Sequence, residues 1–301
     1  MNRVAQHPVQ AFAVCVLGIA LFSGMDAVMK GLVLAVGAFT AMFWRNLIGI
    51  GLSGVAYLPF VSRWPSRATM IIHVTRGVVS TAMGFLFFWG IGRVPLAQAI
   101  ALAFIAPLIA LCLAAATLHE RVSRKTVGAS LVAFGGVVVI FIGQARAELG
   151  REALIGSLAI IASAILYAVN IILMRRQALV ADPLEITFFQ SVIVTAVLAV
   201  AAPVVGLSLP PLSQWPWLLL AASLAISSLI LLGWGYARAE ASYLAATEYT
   251  AFLWAALFGW LVFHEPVSPF TVAGAALIVA GCIFAARRPP QEASRPLEAA
   301  A

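Results

Sequence analysis

The sequence predicts an all-α polytopic membrane protein, with ten transmembrane helices arranged as two inverted five-helix repeats. Three observations lead there. The 301 residues are 63% hydrophobic and only 10% charged, against roughly half and a quarter in soluble domains. Apolar runs of membrane-spanning length recur along the whole chain. One stretch is also written twice: residues 117–128 read TLHERVSRKTVG and residues 262–273 read VFHEPVSPFTVA. His119, Glu120, Val122, Ser123, Thr126 and Val127 thus return 145 positions later as His264, Glu265, Val267, Ser268, Thr271 and Val272. The same offset carries Trp89 and Gly90 onto Trp234 and Gly235, and Gly136 onto Gly281.

The two copies differ in charge. Arg121, Arg124 and Lys125 of the first become Pro266, Pro269 and Phe270 in the second. Cytoplasmic loops keep Lys and Arg while loops on the other side lose them, so the same hairpin loop occurs once on each side of a bilayer. A duplicated unit with an odd number of spans forces that inversion.

The apolar runs fall at 9–30, 38–60, 69–91, 96–117, 125–143, 153–174, 184–206, 216–237, 242–263 and 269–286. About 20 residues span a bilayer, and in lipid only a helix or a closed barrel satisfies the backbone. Pro95, Pro183, Pro216 and Pro269 stand at span starts, where a missing N–H costs little. Pro107 is mid-span; it is expected to kink the fourth helix and free the carbonyl of Ala103.

With the N-terminus inside, the inner segments hold Arg3, Arg63, Arg67, Arg121, Arg124, Lys125, Arg175, Arg176, Arg238, Arg287, Arg288 and Arg295, twelve basic residues. The outer side holds four: Lys30, Arg93, Arg146 and Arg151. Both termini are therefore expected in the cytoplasm, which requires an even number of spans. The polar stretch QARAELGRE divides the chain into a first repeat (1–143), an inter-repeat loop (144–152), a second repeat (153–286) and a cytoplasmic polar tail (287–301).

Composition also excludes. The net charge of +7 collects at span ends, not on a basic face with interleaved aromatics, so no nucleic-acid partner is expected. Cys15, Cys112 and Cys282 sit inside apolar runs at unrelated spacings, which fits small packing residues, neither a metal motif nor disulfides. HERVS and HEPVS lack the second His of H-E-x-x-H, and there is no G-x-S-x-G elbow or Walker A loop. Zinc hydrolysis, acyl hydrolysis and ATP coupling are unsupported, and no metal or cofactor is expected. The HE dipeptide reads as a loop device.

Ionisable groups within spans are costly and are functional candidates by default. Asp26 and Lys30 stand four apart on the first span, share a face and can pair; Lys30 can also snorkel to the outer interface. Arg45 is able to grip a carboxylate bidentately, with helix-to-helix or headgroup pairing as the alternative. Glu248, near Tyr243 and Tyr249, is the acid best placed to load and release a proton, with a neutral packing role as the alternative. His73 and Arg76 read as a snorkelling pair at the inner end of the third span. Tyr167 and Asn170 share a face of the sixth span; with Trp89, Gln98, Trp234, Tyr236 and Tyr243 they suit an aromatic-walled path with polar readers. Against that, Trp89 and Trp234 stand late enough in their spans to be interfacial belt residues. Gly49, Ser53, Gly77, Thr81 and Gly84 suit close helix approach.

The ten-span layout, the duplicated halves, the Pro107-containing fourth span, the L-H-E-R-x-S loop at 118–123 and the TVG…GG opening at 126–136 together resemble the EamA family of the drug/metabolite transporter superfamily. The resemblance covers residues 9–286. The second copy is degenerate: Phe252 stands where Pro107 maps, and the Arg of the loop is missing. The resemblance implies export of small organic metabolites, often amino acids, across a bacterial inner membrane. Within the family the chain looks most like YddG-type exporters of aromatic and other apolar amino acids. Expected partners are then a small-molecule substrate and the lipid bilayer, with proton antiport, for which Glu248 is the candidate, and facilitated transport both open as the coupling. Alternatives are export of other drugs or metabolites, a polytopic transferase acting on lipid, and a non-transporting or flippase subunit. A transferase needs a cluster of His, Asp or Glu on one face, which the sequence does not offer.

Overall fold

The computed structural model describes residues 8–61, 64–106, 108, 109, 113, 124–146, 150–236, 238, 244 and 247–286. They form α1 (Pro8–Val36), α2 (Ala38–Tyr57), α3 (Arg67–Ile91), α4 (Leu96–Ala103), α5 (Arg124–Arg146), α6 (Gly150–Ala178), α7 (Pro183–Val205), α8 (Trp215–Tyr236), α9 (Thr250–Phe263) and α10 (Pro269–Ala286). Among the described residues, the helical stretches 9–36, 67–91, 150–174, 183–205 and 212–235 are long and apolar enough to cross a membrane; 131–143, 250–263 and 269–281 are shorter apolar helices.

Local chemistry sets most boundaries. Ser66 caps α3, its side chain accepting the Thr69 N–H at 3.1 Å. Pro183 opens α7 as its first residue, where a proline's missing N–H has no helical partner to lose. The first helix departs from expectation: it runs six residues past Lys30, because the charge of Lys30 is met inside the bundle, and it stops where Gly37 takes a φ of 81°. α4 ends at Ala103 and gives way to turns at Phe104 and Ile105. Pro107 itself lies outside the described residues, four positions after Ala103.

Helices of one half pack mainly on helices of the other. α1 lies against α8 and α9, α2 against α7 and α8, α3 against α6 and α7, α4 against α9 and α6, and α5 against α10. Advancing every helix by five maps α1/α8 onto α6/α3, α1/α9 onto α6/α4 and α2/α8 onto α7/α3, and leaves α2/α7, α4/α9 and α5/α10 unchanged. This is the pattern a two-fold axis between the halves produces.

Directions follow from which residues meet. Gly49 faces Ser191 and Gly54 faces Phe188, so α2 and α7 run antiparallel. Gly143, Ile140 and Gly136 meet Phe270, Gly274 and Ile278 in turn, so α5 and α10 do too. The α5–α10 crossing is the tightest of these: a Cβ on Gly136 would stand 2.6 Å from the Gly274 carbonyl oxygen, and one on Gly274 the same distance from that of Gly136. Packing in a bilayer relies on such close backbone approach, because lipid leaves no hydrophobic driving force between helices. Gly77, against Ile193 of α7, and Gly49 do the same at their own interfaces.

One end of the bundle, here end A, gathers the turn at Gly37, the α3–α4 and α9–α10 connections, the residues after α7 and the start of α6. Trp44 donates to the Ser208 carbonyl (3.0 Å), Lys30 to that of Val94, and Arg93 to Glu152 (3.0 Å). The opposite end B brings the starts of α3 and α7 together, with Tyr57 on Phe188 and His73 on Glu185. The offset pair Trp89 and Trp234 falls at opposite ends. Each stacks under an arginine four residues on: Arg93 at 3.5 Å and Arg238 at 4.0 Å from the ring centre. Each arginine also donates to the carbonyl of its tryptophan, at 3.0 and 3.1 Å.

Candidate functional site

Two polar centres lie between the helices. The first joins α1, α2 and α3. Asp26 is 2% exposed, and its Oδ1 has no hydrogen-bond partner. Arg45 lies within electrostatic reach, yet no salt bridge joins the two among the described contacts; Arg45 Nη1 approaches Met25 Sδ at 3.2 Å, and its guanidinium stands 5.5 Å from the Phe88 ring centre. A buried Asp26 side chain and a half-buried guanidinium that do not close on each other leave binding capacity unspent.

The second centre joins α3, α6 and α7 toward end B. Arg76 donates through Nε to Asn170 Oδ1 (3.2 Å) and through Nη1 to Gln177 Oε1 (2.5 Å). Ser80 also donates to Asn170 Oδ1, at 3.0 Å. Gln177 Nε2 contacts His73 Nδ1 (2.5 Å), and His73 Nε2 reaches Glu185 Oε1 (2.9 Å) while its ring stacks on Phe189. The expectation of a snorkelling His73–Arg76 pair is thereby corrected. His73 is buried, because a run of polar partners on the facing helices replaces water. Gln177 and Glu185 were not singled out from sequence; the clue is spacing, since His73/Ser80 and Asn170/Gln177 are each seven apart on antiparallel helices. Tyr167, 40% exposed, lies within electrostatic reach of both Arg76 and Glu248. Glu248 is exposed at the entry to α9 and within reach of Cys15 of α1.

The expected Asp26–Lys30 pair is corrected. Lys30 turns to end A and pairs with Glu265, also donating to the Val94 carbonyl at 2.7 Å, since there it gains a countercharge and a freed carbonyl together. Gln98 donates to Ser157 of α6 at 3.2 Å. Tyr249 meets Phe104 edge to face with ring centres 5.7 Å apart, and Phe104 also packs on the α1–α4–α9 cluster built on Ala27, Leu96, Ile100 and Ala255. Trp89 is engaged by Arg93 at end A. Tyr243 lies outside the described residues. The described residues hold no group of three or more His, Cys, Asp or Glu side chains able to bind a metal.

Comparison with known proteins fits this geometry. The EamA-like transporter family model matches twice, at residues 10–142 and 154–287. The pseudopaline exporter CntI of Pseudomonas aeruginosa is 27% identical over 88% of this chain and 92% of its own length. A riboflavin transporter of Rhizobium johnstonii is 28% identical over 91% and 90%. An S-adenosylmethionine uptake transporter of Rickettsia bellii is 25% identical over 87% and 88%. One crystal structure superposes with a TM-score of 0.61 at 23% identity, covering 92% of this chain and 97% of its own, a likeness of fold.

Proposed function

From the premise that this chain belongs to the EamA-like transporter family, and so is a multi-pass membrane transporter rather than an enzyme, we propose that it works by alternating access between two inverted five-helix halves. The proposal comprises ten spans, both termini in the cytoplasm and residence in a bacterial inner membrane. Its cargo is a small organic metabolite carrying charge of both signs, amino acids with aromatic or apolar side chains among them, moved outward.

The observation that carries the reading is the antiparallel packing of α2 on α7 and α5 on α10. Repeat mates set head to tail give the two ends of the molecule equivalent construction, so each end can open in turn while the centre stays in place. The cargo class rests on Asp26 and Arg45 in the first centre and on Arg76, Tyr167 and Glu248 near the second, with Phe88, Phe104 and Tyr249 as apolar walls. A guanidinium takes a carboxylate, a carboxylate takes an ammonium group, and rings cover an apolar side chain. A second reading, uptake rather than export, is favoured by the Rickettsia relative, an S-adenosylmethionine uptake transporter.

A competition screen in proteoliposomes, loaded from either side and with a pH gradient of either sign, tests both. Amino acids and other zwitterionic metabolites are expected to exchange, with Glu248→Gln changing the pH profile more than the yield of folded protein. Transport of uncharged solutes alone would overturn the cargo assignment, and an unchanged pH profile in Glu248→Gln would remove that residue from proton coupling.

A further inference from the structure

The second polar centre can be satisfied in one way only, and that way ties a proton to a guanidinium. Arg76 has donors and no acceptor, so Gln177 must turn its Oε1 to Arg76 Nη1. Its Nε2, a donor only, then faces His73 Nδ1, which must be bare to accept. The proton of the neutral imidazole is therefore on Nε2, which donates to Glu185 Oε1 at 2.9 Å. His73 and Gln177 are each 1% exposed, so a mismatch between them has no solvent to relieve it.

A proton on His73 Nδ1 breaks this chain. Nδ1 becomes a donor, and Gln177 has to swing its amide so that Oε1 accepts it. The Nε2 hydrogens then point at Arg76 Nη1; donor meets donor, and Nη1 has to leave. Protonating the ring thus frees a guanidinium edge on the far side of an uncharged amide.

Other charged and titratable groups around His73 lie to the sides of this path. Glu185 of α7 meets the ring directly, and Asp182, just before α7, lies within electrostatic reach of Tyr57 of α2. α6 offers Tyr167, near Arg76, and Arg176, which is exposed, as is Arg67 at the start of α3. Arg45 of α2, with Asp26 of α1 in reach, stands by Phe88, about four turns along α3. α4 has no ionisable side chain.

Arg76 itself has no carboxylate within ion-pair distance among the described residues. Its anchors are neutral: Asn170 Oδ1 holds Nε and Gln177 Oε1 holds Nη1. A guanidinium that is oriented but not neutralised is a carboxylate site once Nη1 is free. Charge agrees with this. Arg76 and Glu185 balance while His73 is neutral, and a proton leaves one positive charge in excess for a carboxylate to cancel.

We propose that His73 is a proton site read out at Arg76 through the Gln177 amide, so that a proton and a cargo carboxylate load here together. Gln177 is the positioning residue between them. This rests on the reading above that Arg76 serves the cargo. The sign follows: the carboxylate is held more tightly at the lower pH, and the gain is lost as pH rises through the range in which an imidazole ordinarily titrates.

Two measurements on the full-length protein in detergent test it. 15N-histidine spectra, with His73→Gln locating the resonance, are expected to show the neutral ring protonated at Nε2 and bare at Nδ1. A proton on Nδ1 of the neutral ring would overturn the relay. Calorimetry with L-phenylalanine as the probe is expected to show about tenfold tighter binding at pH 6 than at pH 8. Gln177→Met, which leaves Nη1 free at every pH, is expected to bind about tenfold more tightly than the parent at pH 8 and to lose the pH dependence. Gln177→Glu accepts from His73 and Arg76 at once, so it binds weakly at both pH values. A merely structural Gln177 would weaken binding in both variants and leave the pH dependence in place. That result, equal affinities at pH 6 and pH 8 in the parent, or no binding of L-phenylalanine by the parent would overturn the proposal. Neither measurement needs transport. Protein that binds as described but moves no solute fails the transporter reading alone, and transport with pH-independent binding fails this one alone.

Discussion

Replacing Arg45 with alanine is expected to lower transport about 10- to 100-fold, the loss that accompanies removal of a hydrogen bond to a charged group. Arg45 is held over the Phe88 ring and beside the Met25 thioether, partners that orient a guanidinium without neutralising it. Asp26 nearby keeps one oxygen unpartnered. If a charged cargo completes this centre, Arg45→Lys recovers part of the activity, because the charge returns while the planar fork does not. The measurement is initial rate against cargo concentration in liposomes, with yield and monodispersity after extraction as the check on folding. Wild-type kinetics in Arg45→Ala would take Arg45 out of the cargo path. A loss fully restored by lysine would show that charge alone matters there.

Gly136→Val is expected to have the largest effect on stability. The added branch would meet the Gly274 carbonyl oxygen and Ile278, and neither α5 nor α10 has a long flexible side chain there to yield. Overpacking of this kind costs about 1–3 kcal/mol, and the expected result is a lower thermal transition in detergent and a reduced folded yield. Gly128→Ala serves as the comparison, since nothing stands within 4 Å of a Cβ at Gly128. Equal transitions for the two variants would contradict the packing described.

Much of the architecture was legible because lipid leaves few options. The apolar helices over 67–91, 150–174, 183–205 and 212–235 followed from hydropathy and proline, and the repeat from the offset that also pairs Trp89 with Trp234. The end of α1 was missed because a charged residue reads as a boundary when its countercharge is 235 positions away, as Glu265 is from Lys30. The same distance hid the partner of Lys30: Asp26 was near in sequence, but the pairing made uses the other half of the molecule.

The α3–α6–α7 network was illegible for a different reason, because it breaks the repeat. The offset takes His73, Arg76 and Ser80 to Leu218, Ala221 and Ala225, and takes Asn170 and Gln177 back to Met25 and Leu32. All five equivalents are apolar, and Leu218, Ala221, Met25 and Leu32 are buried between α1 and α8. Duplication therefore supplied the scaffold, while these polar residues, drawn from both copies, were placed at the α3–α6 interface and not at its repeat counterpart α8–α1, so that no internal comparison could reveal them.

The most direct measurement is the sidedness of Ser123 and Ser268, which occupy the same place in the two copies of the loop. Each is replaced singly by cysteine in a background with Cys15, Cys112 and Cys282 replaced by alanine and labelled with an impermeant maleimide from either side of intact and inverted membrane vesicles. The account predicts labelling of Ser123→Cys from the cytoplasmic side and of Ser268→Cys from the opposite side. Labelling of both from one side would contradict the inverted arrangement and, with it, alternating access between the halves.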